Sequence, residues 1–330
     1  MGQLVFLGFG AGLVSALLFG AVAAGSPAGM VLSYLAPLPI LIVALGWHHL
    51  VGLLGVAIGA LATSFVLRSS AGLACALGPA LPAWWLAFLV LSARVTTGPA
   101  AAVEWMSTGR LLAWTGVTGA CIAFAAALGL GGGDYGQFAE ILRRATDTLL
   151  RSELGMPRQG PAGTIGGVPG ETLVRLLILV TPMVAAAVFS LTLALNLWLG
   201  AKVVAMSGRL PRPWPAIPDT RMPSHALILL SAGILAGFTS GWLGVAGRAL
   251  AGGLAMMFAL QGLALIHIAT REKQGRVALL ALTYLFTVLL GHIVLPFLAV
   301  AGMIDTATPF RRRLTRNETP RGRNGPPSST

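Results

Sequence analysis

Nine mostly apolar stretches follow one another along the chain and constrain its fold more than any other feature. They cover roughly residues 3–22, 28–46, 50–67, 72–92, 111–131, 173–200, 226–247, 250–269 and 277–303. A helix needs about 20 apolar residues to cross the hydrocarbon core of a bilayer. Only 10% of the residues are charged, whereas soluble domains average about 25%. The sequence therefore predicts an all-α, polytopic transmembrane helical bundle of eight or nine spans and excludes a soluble enzyme.

A polar insertion over about residues 132–172 separates the fifth and sixth stretches. Within it, apolar residues such as Phe138 and Leu142 recur at helical spacing, while Arg144 and Arg151 occupy the other side. This pattern predicts one amphipathic interfacial helix, lying at the membrane surface or packing on the bundle.

The rest of the chain divides into a membrane domain and a tail. We expect a transmembrane helical domain over residues 1–304 and a disordered basic C-terminal tail over residues 305–330, because the tail is polar and rich in Gly, Pro, Ser and Thr. Arg outnumbers Lys 20 to 2 and Ala, Gly and Pro are abundant, which is typical of GC-rich coding sequences. We therefore expect a multi-pass protein of a bacterial inner (cytoplasmic) membrane, in contact with the lipid bilayer.

The orientation of the bundle stays open at this stage. With nine spans and a cytoplasmic N-terminus, nine basic residues of the connections face the cytoplasm, but the Arg-rich tail does not. The positive-inside rule favours neither orientation outright. An even count would reconcile the tail with part of the connections, so we prefer eight spans with both ends cytoplasmic over nine.

The sequence argues against several classes of function. All ten acidic residues lie in loops, at span ends or in the tail, whereas proton relays and cation-coupled carriers usually place carboxylates inside the bilayer. The chain has no HExxH, GxSxG or Walker A motif, so we expect no enzyme, no metal site and no cofactor. The net charge of +12 comes from the tail and from residues that flank spans, so nucleic acid is not an expected partner.

Few polar side chains lie at membrane depth. Asn196, Gln261, His267 and His292 interrupt the sixth, eighth and ninth stretches. Polar side chains in hydrocarbon turn toward the bundle interior, where they either bond neighbouring helices or contact a ligand. We treat these four as candidate ligand-lining residues, with interhelical bonding as the alternative.

Small residues recur every four positions in two of the stretches, where they allow helix backbones to approach closely. These residues are Gly8, Gly12, Ala16 and Gly20 in the first stretch and Gly233, Gly237 and Gly241 in the seventh. Such stripes favour packing within the bundle or docking of another membrane protein.

Several short motifs resemble known families. The segment LAPLPILIVALGWHHLVGLLGVAIGALATSFV (35–66) resembles the substrate-binding components of energy-coupling-factor transporters. The whole chain resembles the YybS-like family of uncharacterised bacterial membrane proteins, through LPRPWPAIPD (210–219), QGLALIH (261–267) and MIDTATPFRRR (303–313). The resemblance to the transporter components implies that the small-residue stripe of the first stretch meets a membrane partner. The extra spans and the insertion depart from those components.

Two hypotheses follow for the function. The first is a transport-related component that binds a small molecule or lipid within the helical bundle. The alternative is a non-transporting membrane scaffold in cell-envelope synthesis or division. A cavity lined by Asn196, Gln261 and His267 would favour the first hypothesis, and a solid core would favour the second.

Overall fold

The computed structural model describes residues 2–95, 103–153, 164–165, 168–213, 220–271 and 273–308. Within these residues, helices make up nearly the whole chain. They are α1 (Gly2–Gly20), α2 (Pro27–Ser33), α3 (Pro37–Gly46), α4 (His49–Val66), α5 (Ser69–Cys75), α6 (Leu81–Leu91), α7 (Thr108–Leu130), α8 (Tyr135–Glu153), α9 (Gly170–Met206), α10 (His225–Gly237), α11 (Gly241–Ala269), α12 (Arg276–Leu289) and α13 (Gly291–Ala307). A 3-10 turn (Ala21–Ala24) extends α1, and a π-helical turn (Ala76–Ala80) joins α5 to α6.

Two small antiparallel hairpins complete the secondary structure of the described residues. β1 (Ala93–Val95) pairs with β2 (Val103–Trp105), with Arg94 opposite Glu104. β3 (Thr164–Ile165) pairs with β4 (Val168–Pro169). The hairpins connect helices and contribute no layer of their own.

The described residues contain seven helical stretches that are long and apolar enough to cross a membrane. They are Gly2–Ala24, Pro27–Gly46, His49–Val66, Ser69–Leu91, Thr108–Leu130, Gly170–Met206 and Gly241–Ala269. Three shorter apolar helices, α10, α12 and α13, add to them. This confirms the all-α polytopic bundle that the hydropathy pattern predicts.

In the second half of the bundle, the helix boundaries differ from the boundaries of the predicted apolar stretches. The predicted stretch 226–247 spans two helices, because α10 ends at Gly237 and α11 begins at Gly241 with a φ of 71°. Glycine adopts this left-handed conformation readily because it has no Cβ. The predicted stretch 277–303 is likewise broken, between α12 and α13 at Leu290. Hydropathy alone merges helices when the turn between them is apolar.

Two clusters of buried apolar side chains hold the helices together. The first cluster joins α1, α3, α4 and α6 and includes Ile40 and Leu86. The second cluster joins α7, α10, α11 and α13 and includes Met257 and Phe258. The long helix α9 contributes side chains to both clusters, for example Leu193 to the first. The most central span is α11, with 72% of its most apolar window buried.

Contacts between loops identify one end of the bundle, which we call the basic end. The Arg209 guanidinium lies 4.8 Å from the centre of the Trp47 ring, so the loop after α9 meets the turn between α3 and α4. Arg221 donates hydrogen bonds of 3.1 Å to the carbonyls of Thr306 and Thr308 at the end of α13. A Cβ at Gly109, in the first turn of α7, would collide with the Arg221 carbonyl.

Both ends of the described chain lie at this basic end. Gly8 of α1 lies against Val51 of α4, and Gly12 lies against Gly55, so α1 and α4 run in the same direction. Because α4 begins next to Trp47, α1 also begins at the basic end, and α13 ends there. The start of α1 and the end of α13 therefore lie on the side of the bundle that carries Arg209 and Arg221.

The opposite end carries the amphipathic helix, which is α8. Its Phe138 is buried (4% exposed) against Trp242 at the start of α11. The Trp242 indole also donates a 3.0 Å hydrogen bond to the Gly133 carbonyl. The polar side carries ion pairs, such as Arg144 with Glu140 at 2.7 Å. This end therefore holds acidic and basic groups in comparable numbers.

The C-terminal boundary differs from the expected one. Helix α13 continues to Ala307, so Asp305 and Thr306 are buried in the bundle (1% and 7% exposed) instead of starting a polar tail. Buried positions at Leu298, Gly302 and Asp305 continue the helical spacing past residue 304. The remainder of the predicted tail, residues 309–330, lies outside the described residues.

Candidate functional site

Asn196 bonds to a break in a neighbouring helix. The break lies between α2 and α3, where Leu38 N–H donates to the Leu35 carbonyl and leaves the Tyr34 carbonyl without its helical partner. Asn196 Nδ2 donates to that Tyr34 carbonyl at 2.8 Å. Ser15 of α1 donates to the nearby Ala36 carbonyl at 2.7 Å. A broken helix persists in a membrane only where other groups satisfy its backbone, and Asn196 does so for the Tyr34 carbonyl.

The Asn196 side chain is not fully satisfied by these bonds. Its Nδ2 also donates to the Thr192 carbonyl of its own helix at 2.8 Å. Its Oδ1 is buried and accepts no hydrogen bond from any described residue. The amide is thus fixed by its nitrogen, and one acceptor inside the first cluster stays unpaired.

Gln261 is the centre of a buried polar network. Its side chain is fully buried (0% exposed), and its Oε1 accepts a 2.8 Å hydrogen bond from the Met222 backbone N–H. Its Nε2 lies 2.6 Å from Asp305 Oδ2 and 3.1 Å from the Gly302 carbonyl. The Thr306 hydroxyl is 3.0 Å from the same Nε2. One amide therefore joins α11, α13 and the loop before α10.

Asp305 is an acidic residue inside the bundle, whereas the sequence predicted that it would begin the polar tail. Its carboxylate accepts the short hydrogen bond from Gln261, 44 positions away in sequence. The signal that could have found it is the continued helical spacing of small and apolar residues through Gly302. That signal is weak because an acidic residue at a span end usually marks the boundary with water.

The two histidines lie apart from Asn196 and Gln261 in their contacts. His267 Nε2 lies 2.9 Å from the Tyr284 hydroxyl of α12, and this pair is exposed. His292 is exposed in the first turn of α13. The described residues do not bring the four predicted ligand-lining side chains together: each bonds its own neighbours or faces outward.

The small-residue stripe of the first stretch packs inside the bundle over half its length. A Cβ on Gly8 would lie 2.9 Å from the Val51 carbonyl, and one on Gly12 would lie 2.5 Å from the Gly55 carbonyl. Ala16 is half-buried, and a Cβ on Gly20 would meet nothing within 4 Å. Helix α4 therefore occupies the part of the stripe that the transporter resemblance assigns to a partner.

The second stripe joins α10 to α11. A Cβ on Gly233 would lie 3.1 Å from the Ala251 nitrogen, and one on Gly237 would lie 3.2 Å from Arg248 Cγ. Arg248 also donates a 2.8 Å hydrogen bond to the Gly237 carbonyl. Gly241 lies in the turn between α10 and α11, where it adopts a positive φ and does not take part in helix packing.

Glycines outside the predicted stripes allow helices to pack closely at the centre of the bundle. The backbones of α7 and α11 meet at Gly116 and Gly253, where an added Cβ on either glycine would collide with the other helix. Ser190 of α9 fills the adjacent space and lies 3.4 Å from the Gly116 carbonyl. These three helices therefore approach one another at backbone distance.

An open apolar groove of about 460 Å³ lies between α1 and α3. Its lining includes Phe6, Gly10, Val14, Pro39 and Ile42. Such a lining suits a hydrocarbon chain and offers no hydrogen bond to a polar solute. Among the described residues, no group of three or more His, Cys, Asp or Glu side chains could hold a metal ion.

This geometry is that of a helical membrane protein, and the family comparison agrees. Residues 13–306 match the family DUF2232, described as a predicted membrane protein. The match covers most of the chain, so the protein belongs to this family of membrane proteins. No curated protein and no solved structure matches the chain.

Proposed function

We propose that this protein is a non-transporting scaffold of a bacterial inner membrane, and that its basic end faces the cytoplasm and binds an acidic partner protein. The observation that carries the proposal is the use of Gln261. All of its polar atoms bond within the chain, so it serves helix packing and offers nothing to a solute. Backbone contact at Gly116 and Gly253 likewise supports a packed centre rather than a pathway.

The charge of the basic end supports the second part of the proposal. Nine basic residues lie in the helix ends and connections that the path of the chain leads to this end: Arg94, Arg110, Lys202, Arg209, Arg212, Arg221, Arg271, Lys273 and Arg276. Among the described acidic residues at this end, Asp305 is buried and Glu104 is exposed. An exposed surface with this imbalance attracts acidic partners and excludes basic ones.

The same distribution supports the orientation. Cytoplasmic connections carry an excess of Lys and Arg, so the basic end is expected inside the cell. A C-terminal fluorescent-protein fusion should then be bright and a C-terminal alkaline phosphatase fusion inactive. A dark fluorescent fusion together with high phosphatase activity would contradict the orientation.

The transport-related component is the second candidate, and the groove between α1 and α3 favours it. A lipid or another apolar molecule would fit its lining, and the unpaired Oδ1 of Asn196 offers one polar contact elsewhere in the bundle. The resemblance to energy-coupling-factor components agrees with this reading. Its weakness is that α4 occupies Gly8 and Gly12, the surface through which such a component would meet its partner.

Complementation of a deletion strain separates the two candidates. Asn196→Leu, His267→Phe and His292→Phe remove polar groups without touching the Gln261 network. The double variant Arg94→Glu, Arg110→Glu reverses two exposed charges at the basic end. At matched membrane abundance, a scaffold predicts rescue by the three polar variants and loss of function in the double variant.

The matched control is Arg68→Glu, which reverses an exposed charge at the opposite end. It should rescue growth like the wild type. Loss of function in the polar variants with rescue by the double variant would replace the scaffold with the transport-related component.

A further inference from the structure

Arg248 is a cation inside an otherwise apolar helix. It falls between two of the predicted apolar stretches, and the structure places it in the continuous helix α11. It forms no ion pair with any described residue. The side chain is half-buried, and its Nε is buried without a hydrogen-bond partner among the described residues. A charged group in this situation costs free energy, so packing alone does not explain its presence in the helix.

The Arg248 guanidinium lies at the turn between α10 and α11. Its Nη1 donates a 2.8 Å hydrogen bond to the Gly237 carbonyl at the end of α10. Its Nη2 lies beside Gly244, since a Cβ on that glycine would be 3.2 Å from this nitrogen. Nη2 donates no hydrogen bond to a described residue and is not among the buried unpaired atoms. It is therefore a charged donor that is accessible from outside the bundle.

The turn that holds this donor lies at the membrane surface. Trp242, in the first turn of α11, packs against Phe138 of the amphipathic helix α8. Such helices lie at the boundary between lipid head groups and acyl chains. Gly244 follows the start of α11 by three positions, which is about 5 Å along the helix axis. The donor is therefore at the depth where lipid phosphates lie.

Apolar side chains border the same turn. Phe238 and Leu243 are the sequence neighbours of Gly237 and Gly244, and both are exposed. They offer acyl chains a contact beside the charged donor. A ligand that combines a phosphate with hydrocarbon fits this surface better than a free anion does.

We propose that Arg248 binds the phosphate of an anionic phospholipid at the end of the bundle opposite the basic end, with Nη2 as the donor. The start of α11 adds the partial positive charge of its unpaired N–H groups. The site goes beyond the proposed function, which concerns the basic end, so neither proposal depends on the other.

Thermal unfolding and native mass spectrometry of the delipidated full chain in detergent test the proposal. The additions are phosphatidylglycerol, phosphatidylcholine, whose choline compensates the phosphate charge, and inorganic phosphate. The wild type should bind phosphatidylglycerol most strongly. Arg248→Gln should weaken that binding about tenfold, as expected for the loss of one charged hydrogen bond. Arg248→Lys keeps the charge and should bind more strongly than Arg248→Gln.

The rise in melting temperature on addition of phosphatidylglycerol separates binding from a structural role. A ligand that binds the folded state raises this temperature, whatever the stability of the variant without lipid. The rise should be smaller in Arg248→Gln than in the wild type. If Arg248 only caps α10, Arg248→Gln would melt lower by the same amount with and without lipid, and the proposal would be overturned.

The matched control is Arg68→Gln, which removes an exposed positive charge at the same end of the bundle, just before α5. It should bind phosphatidylglycerol like the wild type. An equal loss of binding in Arg68→Gln and Arg248→Gln would show attraction by net charge and overturn the site. An equal response of the wild type to inorganic phosphate would overturn the lipid as its ligand.

Hydrogen exchange of the wild type keeps the test valid if Arg248→Gln does not fold. Phosphatidylglycerol should slow amide exchange in residues 238–244 and leave the hairpin of β1 and β2 unchanged. Unchanged exchange in residues 238–244 at a saturating lipid concentration would contradict the proposal.

Discussion

Two lone amides in apolar helices end up in opposite situations. Gln261, in the second cluster, bonds to a loop, to its neighbour helix and to a buried carboxylate, and keeps no free polar atom. Asn196, in the first cluster, bonds to the broken helix between α2 and α3 and keeps an unpaired Oδ1. All polar atoms of the Gln261 side chain thus form hydrogen bonds, whereas Asn196 bonds the broken helix through its nitrogen alone. The difference depends on which elements pack around each amide.

The largest effect should follow from Gln261→Leu. The change leaves the buried Met222 N–H without its acceptor and removes the short hydrogen bond to the Asp305 carboxylate. Orphaned buried polar groups cost about 1–3 kcal/mol each, so we expect a loss of roughly 3 kcal/mol in the free energy of unfolding. Denaturant unfolding in detergent measures it. A loss below that of Asn196→Leu would contradict the contrast between the two clusters.

Gly237→Leu should have the next largest effect. The new side chain would meet Arg248, whose guanidinium bonds the end of α10. Overpacking of this kind costs about 1–3 kcal/mol. Gly20→Leu is the control, since a Cβ there meets nothing. Equal melting temperatures for the two variants would show that the α10–α11 contact is not stabilising.

Asn196→Leu should cost about 1 kcal/mol. It removes the hydrogen bond to the Tyr34 carbonyl, but it also removes the unpaired Oδ1, which offsets part of the loss. The same unfolding measurement applies. A loss as large as that of Gln261→Leu would mean that the broken helix depends on this single bond.

His267→Phe should change the free energy of unfolding least, by about 0.5 kcal/mol or less. It removes only an exposed hydrogen bond to Tyr284, and Tyr284→Phe should behave alike because it removes the same bond. A larger loss in His267→Phe alone would show that this side chain has a second partner.

Local pattern was sufficient for part of the architecture. Apolar runs predicted the helical membrane bundle, and alternating charge and apolar residues predicted α8, because helix formation and burial in lipid depend on neighbours within a few turns. Backbones approach closely at Gly8 and Gly12 of the first stripe, whereas a Cβ at Gly20 would meet nothing within 4 Å. The same pattern could not name the partner helix.

The contacts between distant residues were decided by the tertiary structure alone. The amide of Gln261 meets Asp305 across 44 positions, and this bond draws the predicted start of the tail into the core. Asn196 meets Tyr34 across 162 positions. Arg221 meets the carbonyls of Thr306 and Thr308 across 85 and 87 positions, which brings the end of α13 next to the loop before α10. Hydropathy depends on composition along the chain, whereas each of these pairings depends on which helix faces lie together in three dimensions.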